Sequence, residues 1–505
     1  FQVLEIHLNA SESRKDLLTY LESKHQADVW GWTSHGAVDV MVGPTHVDDV
    51  IRMLKTKQVS HRTKIEDVQR LLDEHVAENR HPRHRRAVSL SSVTRRYLRL
   101  PQIRQFLQNV RANATQADVT LSSLGRTFQG RTTPYVRIRQ KNSGDTNRSV
   151  IIVDAGIHAR EWIAPAMALN IIHRLAFNPN DDPEVEDLLE KFDWLIIPVL
   201  NPDGYVYSHA NSSTRLWRKT RTTAYSRDPY CLGVDANRNF GYEWSDSPEH
   251  GGNSNPCTDN YSGPSGFSEP ETRNLKALLD RERGRTAAYL SLHSYGQFFL
   301  YPWGYDASAR IDDESDLAEV ARQFSDAMWR RNRWYEVGSS AKVLYAAAGA
   351  SDDYARGGAG VKYAFTVELS PTDSSPHGFL LPAHHISSVV ADHWPAFKAM
   401  ARAIWNKMQD DSSNADSAPE FSSTQDEIED EQLQHDQEDD PTRAAASGRN
   451  DNSFRVVGSG AFSNGLTSVT IDGHTYQLNL SDPVTLSWVQ YYMDLFGYER
   501  PWDTL

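Results

Sequence analysis

Apolar runs rich in β-branched residues alternate with amphipathic stretches between about residues 95 and 408, and this alternation restricts the fold more than any other feature. The apolar runs are SVIIVDAG, FDWLIIPVL, TAAYLSLHS and YAFTVEL. The stretches with helical character are APAMALNIIHRLA, PETRNLKALLDRERG, LAEVARQFSDAMWRR and AFKAMARAIWNKM. Such alternation predicts an α/β core built on a mainly parallel or mixed sheet. Functional side chains in a core of this kind gather where the strands end.

The chain of 505 residues is long enough for further units on both sides of this core. Residues 1–75 combine two strand patterns, FQVLEIHL and AVDVMVGP, with two helix patterns, SRKDLLTYLESK and THVDDVIRMLKTK, which predicts a small separate α+β unit. The segment HPRHRR at 81–86, interrupted by Pro82, indicates a linker. We therefore predict three parts. They are residues 1–86, 87–408 and 409–505.

The net charge of -14 arises mainly from one segment of the third part. Thirteen acidic residues and no Lys or Arg lie between Asp410 and Asp440, and the rest of the chain is close to neutral. A basic surface for nucleic acid is therefore not expected. We interpret the acidic segment as a solvated linker, followed by an extension of unknown role with short strand patterns around Asp472-Gly473. The lack of a long apolar run argues against a membrane span.

Several features favour a secreted protein whose targeting segment has been removed or omitted. The two cysteines, Cys231 and Cys257, suit a single disulfide, with two buried free thiols as the alternative. Arg83-His84-Arg85-Arg86 has the Arg-x-Arg-Arg form that processing proteases cut, with an uncut basic linker as the alternative. Potential glycosylation sites of the form Asn-x-Ser/Thr occur at Asn9, Asn113, Asn147, Asn211, Asn260 and Asn479. We therefore expect an extracellular glycoprotein that an activating protease cleaves after Arg86.

Three residues of types that can bind a metal lie at or after the ends of two apolar runs. His158 and Glu161 are three positions apart in IIVDAGIHAREW, where a turn from a strand into a helix can direct both side chains to one point. His293 lies at the end of the run TAAYLSLHS; a packed histidine is the alternative for this residue taken alone. Two histidines and one carboxylate suit a tetrahedral zinc site whose fourth position is open to water.

Zinc-activated water still requires a base, and guanidinium is the side chain suited to holding a carboxylate in two hydrogen bonds. Glu368 closes the apolar run YAFTVEL, where an ionised carboxylate is costly to bury; an exposed strand end is the competing explanation. Three arginines lie beside the candidate site residues, and an arginine exposed on the surface is the alternative for each of them. They are Arg160, Arg221 and Arg238.

Nine segments together resemble the zinc metallocarboxypeptidases of the A/B type, in the order in which that family carries them. The segments are IEDVQ, HAREW, NPDGY, RLWRKTR, CLGVDANRN, LHSYGQFFLYP, GASDDY, KYAFTVEL and GFLLP. The resemblance spans about residues 1–408 and is closest to the carboxypeptidase B-like members. It implies a mixed eight-stranded sheet between helices, preceded by a small open-sandwich propeptide. It also implies a monomeric proenzyme with one Zn²⁺ per catalytic domain, acting on the C-termini of peptides or proteins.

The resemblance assigns a role to each candidate residue. His158, Glu161 and His293 become zinc ligands, Asp235 orients a ligand histidine, and Glu368 becomes the general base. Arg221 is expected to polarise the scissile carbonyl and stabilise the oxyanion. The substrate's terminal carboxylate is expected to be held by Asn237, Arg238 and Tyr345, with Arg160 assisting in the same groove. Cys231 and Cys257 are expected to form a disulfide.

The segment GASDDY resembles the B-type pattern and places Asp352 at the base of the side-chain pocket, which favours a basic C-terminal residue. In the alternative, Asp353 is the structural acid and Asp352 is its exposed neighbour, because the following RGGAG is one residue longer than the family spacing. The run Glu-Leu-Ser-Pro at positions 368–371 also departs from the family's Glu-Leu-Arg-Asp. Two other functions remain open: a hydrophobic A-type preference, and a catalytically silent relative that binds peptides or matrix.

Overall fold

The structure is a computed structural model. It describes residues 1–8, 17–18, 20–22, 27–33, 36–79, 93–144, 148–178, 181–416, 455–456, 467–471 and 474–478. Three predicted features lie outside these residues. They are the linker with Arg86, the glycosylation sites at Asn9, Asn147 and Asn479, and the acidic segment beyond residue 416. The chain divides into two units, Phe1–Pro419 and Glu420–Leu505.

The N-terminal domain, residues 1–79, contains an antiparallel sheet with the strand order β2-β3-β1-β4. The strands are β1 (Gln2–His7), β2 (Asp28–Trp32), β3 (Ala37–Val42) and β4 (His61–Ile65), and two helices are α1 (Val47–Thr56) and α2 (Val68–Glu78). Residues 17–18 and 20–22 are also helical. The alternating sequence of β3 gives the sheet two different faces. Val38 and Val40 pack with Val50 and Leu54 of α1, whereas Asp39 is on the opposite face, which contacts the larger domain.

The larger domain is built on a mixed sheet of eight strands with the order β11-β10-β12-β9-β7-β8-β6-β5, as predicted. Its strands are β5 (Ala117–Arg126), β6 (Thr132–Gln140), β7 (Ser149–Ala155), β8 (Phe192–Ile197), β9 (Thr286–Gly296), β10 (Phe298–Tyr301), β11 (Glu336–Ser339) and β12 (Tyr363–Thr372). The four central strands, β12, β9, β7 and β8, are parallel. Their carboxyl ends therefore meet at one edge of the sheet.

Helices cover both faces of this sheet, so its central strands are apolar on both sides. The longer helices are α3 (Leu100–Asn113), α4 (Ile163–Phe177), α5 (Pro183–Lys191), α6 (Pro202–Ser208), α7 (Pro270–Arg281), α8 (Glu314–Trp329) and α9 (Ile386–Asp416). The chain leaves β7 toward β8 on one side and later returns to β9 on the other. This reversal opens a crevice at the carboxyl end of β7, which is where α/β proteins bind ligands.

The second unit contributes a small antiparallel sheet of three strands in the part that the structure describes. These are β13 (Arg455–Val456), β14 (Thr467–Ile471) and β15 (His474–Leu478). β14 and β15 pair on either side of residues 472–473, where the sequence predicts a turn. In the described parts of both units, we find no helix with the length and apolarity needed to span a bilayer.

Candidate active site

The turn after β7 brings the first candidate residues to the crevice. Gly156 has a φ of 66°, and a Cβ atom there would lie 3.1 Å from Pro165 and 3.4 Å from the backbone of Val199. Only glycine adopts this conformation at such close quarters without strain. The turn directs His158 and Glu161 toward the end of β9 before the chain enters α4.

His158, Glu161 and His293 form a compact cluster at this position, each side chain being at most 4% exposed. The Nδ1 atom of His158 lies 2.7 Å from Glu161 Oε1, and the Nδ1 atom of His293 lies 3.2 Å from Glu161 Oε2. The two Nδ1 atoms are 3.1 Å apart. Three ligand atoms of this type converging on one point fit the donor set of a catalytic zinc site. The other convergent group among the described residues contains Cys231 and Cys257, which are bonded to each other.

Burial and charge act together on the protonation of this cluster. Burial opposes the charge on Glu161, but the two histidines hold the pKa of its carboxyl below the usual range. Burial also opposes the charge on His293, but Glu161 outweighs it and raises the pKa of His293 to about 9. Burial lowers the pKa of His158. Metal binding at such a cluster is therefore coupled to the release of a proton from His293.

Asp235 contacts His158 on the side away from the cluster, as the sequence predicts. His158 Nε2 donates to Asp235 Oδ1 at 3.1 Å, which leaves Nδ1 facing Glu161 and His293. Burial alone would raise the pKa of Asp235, but Arg218 and His158 keep it well below its usual value. A carboxylate in this position fixes the tautomer and the orientation of a metal-binding histidine.

Glu368 of β12 lies in register beside His293 of β9. Its Oε2 atom is buried without a hydrogen-bond partner in the described structure. Burial raises the pKa of Glu368 to about 8, and the positive charges of His293 and Arg218 partly offset this effect. Burial thus increases the proton affinity of this carboxyl group, which is the direction that a general base requires.

The structure corrects the prediction for Arg221, which lies away from the cluster. Its guanidinium group stacks on the rings of Tyr207 and Trp217, 3.7 Å and 4.3 Å from their centroids. Arg218 is at the cluster instead, 3.7 Å from Glu161 Oε1, and donates two hydrogen bonds to Asp235 at 3.0 and 2.8 Å. RLWRKTR carries arginine at every third position in a segment without regular secondary structure, so its sequence alone did not indicate which arginine faces inward.

This correction predicts different consequences for the two arginines. If Arg218 has the role that the resemblance implies for an arginine of RLWRKTR, Arg218→Gln should lower kcat for peptide hydrolysis about 10²-fold, because it removes a donor near the developing oxyanion. Arg221→Gln serves as the matched control and should leave kcat close to the wild-type value. Steady-state kinetics of both variants, after cleavage at Arg86, provides the measurement. Equal losses in the two variants would contradict the placement of Arg218.

Asn237, Arg238 and Tyr345 lie together beside the cluster. The Nη2 atom of Arg238 donates to the Tyr345 hydroxyl at 2.9 Å, and Asn237 Oδ1 accepts from the backbone of Ser351 at 2.9 Å. All three residues line a cavity of about 100 Å³, which we call the active-site cavity. The cavity is also lined by His158, Glu161, Arg218, His293, Asp352 and Glu368.

Asp352 and Asp353 differ in their surroundings. Asp353 accepts hydrogen bonds from the backbone of Gly304 and Tyr305, so it is a structural acid. Asp352 is 2% exposed and lines the active-site cavity, so it is not an exposed neighbour. Residues Tyr354–Gly358 form a π-helical turn, whose wider backbone accommodates one additional residue. This turn includes the first part of the RGGAG segment, and Asp352 remains in the active-site cavity.

Burial raises the pKa of Asp352, an effect that a hydrogen bond with Thr366 partly offsets. The carboxyl of Asp352 also lies 3.5 Å from the hydroxyl of Ser340. Among the described residues, His293 is the cationic group whose charge acts on Asp352, and no Lys or Arg side chain forms an ion pair with it. A buried acid in a cavity is best stabilised by a cation that enters that cavity.

The side chain of Arg160 forms hydrogen bonds with the N-terminal domain. Its guanidinium group donates to both oxygens of Asp28, at 3.1 and 2.9 Å, and to Asp259 at 3.1 Å. It also lies 4.3 Å from the ring centroid of Phe379. Arg160 does not line the active-site cavity in this arrangement. The sequence contained no signal for the Asp28 contact, because it joins residues 132 positions apart.

The N-terminal domain also covers the cavity itself. Trp30, Gly31 and Trp32 of β2 line the active-site cavity, and the ring centroid of Trp32 lies 5.8 Å from that of Tyr345. Trp30 packs on Phe379 with the ring centroids 5.3 Å apart. This strand therefore fills space next to the groups that are predicted to bind the substrate.

Two family models match the chain and between them cover the cluster and the domain above it. The model described as zinc carboxypeptidase matches residues 103–396, and the model described as carboxypeptidase activation peptide matches residues 8–75. The chain belongs to the zinc carboxypeptidase family and has the form of a proenzyme. It is therefore a metallocarboxypeptidase, a hydrolase of C-terminal peptide bonds.

Individual relatives cover most of the chain. It is 36% identical over 376 residues to carboxypeptidase B of Helicoverpa zea, covering 72% of this chain and 84% of that protein. It is 35% identical over 400 residues to zinc carboxypeptidase A 1 of Drosophila melanogaster, covering 78% and 87%. The crystal structure of carboxypeptidase A from Helicoverpa armigera matches with a TM-score of 0.71 at 29% identity, covering 81% of this chain and 98% of that one.

Proposed function

We propose that this proenzyme gives rise to a secreted zinc carboxypeptidase that removes C-terminal Lys or Arg residues. The observation that carries the proposed specificity is the buried Asp352 in the same cavity as His158, Glu161, His293 and Glu368. The matched relatives include proteins named as B-type and as A-type carboxypeptidases, so the preference rests on the geometry of this cavity.

The proposed chemistry divides between the cluster and the groups around it. His158, Glu161 and His293 are assigned as ligands of one Zn²⁺ ion, which supplies Lewis acidity at the scissile carbonyl and at the attacking water. Glu368 accepts the proton of that water and later delivers it to the leaving amine. Arg218 donates hydrogen bonds to the oxyanion that forms at the carbonyl.

Substrate recognition uses the charges on the other side of the cavity. Asn237 and Arg238 are assigned to the terminal carboxylate of the substrate, because a guanidinium group holds a carboxylate through charge-assisted hydrogen bonds. Tyr345, bonded to Arg238, closes this side. Asp352 pairs with the cationic side chain of the residue that is removed, and an uncharged side chain leaves this buried acid without a partner.

The N-terminal domain is assigned as an inhibitory propeptide, residues 1–86, before a catalytic domain of residues 87–408. The carboxyl group of Asp28 accepts hydrogen bonds from Arg160, and Trp30 and Trp32 line the cavity. Cleavage after Arg86 by an activating protease would allow this domain to leave. The disulfide between Cys231 and Cys257 supports an extracellular location for the enzyme.

The carboxyl group of Asp28 predicts that propeptide docking depends on pH. Burial raises its pKa to about 7; Arg160 opposes this shift and Asp259 adds to it. The docked state therefore holds a proton that the undocked state releases, and docking must weaken as the pH rises from about 4 to above 7. We expect the dissociation constant between the two cleaved fragments to be up to about 100-fold higher at pH 8 than at pH 5.

Titration of the cleaved fragments by fluorescence of Trp30 and Trp32 would measure this dependence. Asp28→Asn removes the titrating group while keeping its shape, so this variant should show a smaller pH dependence than the wild type. Glu22, whose pKa burial also raises to about 7, contributes in the same direction. Tighter docking at pH 8 than at pH 5 would contradict the expectation.

Hydrolysis of matched peptides that end in Arg, Phe or Glu tests the proposed function directly. The protein is first cleaved after Arg86 and then assayed with and without a zinc chelator. Release of Arg that the chelator abolishes is expected. Preferential release of Phe would retain the enzyme and exclude the basic preference, whereas no release from any peptide would favour a silent peptide-binding relative.

A further inference from the structure

A buried polar pair lies behind His293 and has no role in the chemistry described so far. Asp154 of β7 and Ser291 of β9 are in register with each other, and both side chains are fully buried. Ser291 is two positions before His293 and therefore shares its face of the sheet. An ionisable carboxyl group at the centre of a parallel sheet is costly unless hydrogen bonds satisfy it.

The hydrogen bonds of this pair have a defined direction. The Ser291 hydroxyl donates to Asp154 Oδ1 at 3.2 Å, and the Tyr289 hydroxyl donates to Asp154 Oδ2. Because its hydrogen points to Asp154, Ser291 Oγ is left to accept from His293 Nε2, which lies 3.0 Å away. The hydrogen of His293 is thereby held on Nε2. In the neutral form of the ring, Nδ1 then presents a lone pair toward His158 and Glu161.

The two histidines of the cluster are thus supported in different ways. His158 donates its Nε2 hydrogen directly to a carboxylate, Asp235, whereas His293 reaches a carboxylate only through the hydroxyl of Ser291. We infer that Asp154, acting through Ser291, is a positioning residue that holds His293 in the tautomer and ring orientation needed to bind zinc. This inference rests on the zinc site proposed above.

Removing the hydroxyl should weaken zinc binding more than it weakens folding. Ser291→Ala leaves His293 Nε2 without its acceptor, and loss of such a supporting contact raises the zinc dissociation constant about 10- to 100-fold. Asp154→Asn should act in the same direction, because an amide donates as well as accepts and no longer sets the direction of the Ser291 hydrogen. Ser291→Thr keeps the hydroxyl and should retain most of the affinity.

Ser370→Ala is the matched control. Ser370 is a buried serine on the neighbouring strand β12, and its hydroxyl donates to Gln297 at 3.0 Å rather than to any group of the cluster. This variant loses a buried hydroxyl and a hydrogen bond in the same sheet, and we expect its zinc affinity to equal that of the wild type.

The experiment measures zinc affinity of the full chain by competition with a chromophoric chelator. A second readout is the imidazole N–H signal of His293 in zinc-loaded, ¹⁵N-histidine-labelled protein, which should be protected from exchange in the wild type and lost in Ser291→Ala. Equal affinity and an unchanged signal in Ser291→Ala would overturn the inference. If that variant does not fold, Asp154→Asn takes its place and the same two results decide. Failure of the wild type to bind zinc would instead contradict the proposed zinc site.

Discussion

Replacement of Glu368 by glutamine should reduce kcat/KM on a peptide ending in Arg about 10²- to 10⁴-fold, which is the contribution of a general base. The amide keeps the size of the side chain but does not accept the proton of the attacking water. Glu368 carries a buried oxygen without a partner in the described structure and lies in register beside His293. Zinc content should be unchanged, because Glu368 is not among the three assigned ligands.

Glu336→Gln provides the matched control for this prediction. Glu336 and Glu368 both lie opposite Phe298 of β10, on the two strands that flank it, but Glu336 does not line the active-site cavity. The control should therefore retain the activity of the wild type. Steady-state kinetics together with metal analysis separates the two roles, and an active Glu368→Gln enzyme with bound zinc would exclude Glu368 as the base.

Replacement of Asp352 by asparagine should change the specificity of the enzyme rather than its chemistry. Removing one partner of a buried charge pair costs about 2–5 kcal/mol, which is a loss of about 30- to 3,000-fold in kcat/KM for a peptide ending in Arg. A peptide ending in Phe makes no such pair, so its kcat/KM should not fall. The ratio of the two values is the measured quantity.

Asp353→Asn is the neighbouring control for this experiment. Asp353 accepts hydrogen bonds from the backbone N–H groups of Gly304 and Tyr305. Its replacement should therefore lower thermal stability and leave unchanged the ratio of kcat/KM for peptides ending in Arg and in Phe. A ratio that changes in Asp353→Asn but not in Asp352→Asn would reverse the roles of the two acids. An unchanged ratio in both variants would remove the electrostatic basis for the preference.

The alternation of strands and helices predicted the mixed sheet, and the positions after the apolar runs predicted that His158, Glu161 and His293 lie close together. Both predictions depend on features close together in sequence or on strand ends that a parallel sheet brings to one edge. His158, Glu161 and His293 illustrate this, since β7 and β9 are adjacent parallel strands. The pairing of Cys231 with Cys257 is likewise confirmed.

The features that the sequence did not indicate depend on irregular backbone or on contacts between distant segments. The sequence did not indicate that Arg218 rather than Arg221 reaches the cluster, because RLWRKTR follows no helical or strand period. The contact between Asp28 and Arg160 joins two domains. Asp154 interrupts the apolar run SVIIVDAG, which was a visible signal, but its partner Ser291 became identifiable only once β7 and β9 were placed side by side.

The central claim is that His158, Glu161 and His293 hold a catalytic zinc ion. Anomalous X-ray scattering at the zinc edge, from crystals of the purified proenzyme, tests this claim most directly. We predict one zinc peak per chain, about 2.0–2.2 Å from Nδ1 of His158, Nδ1 of His293 and a carboxylate oxygen of Glu161. A zinc-loaded protein whose anomalous peak lies on other residues, or crystals without any peak in the presence of zinc, would contradict the account.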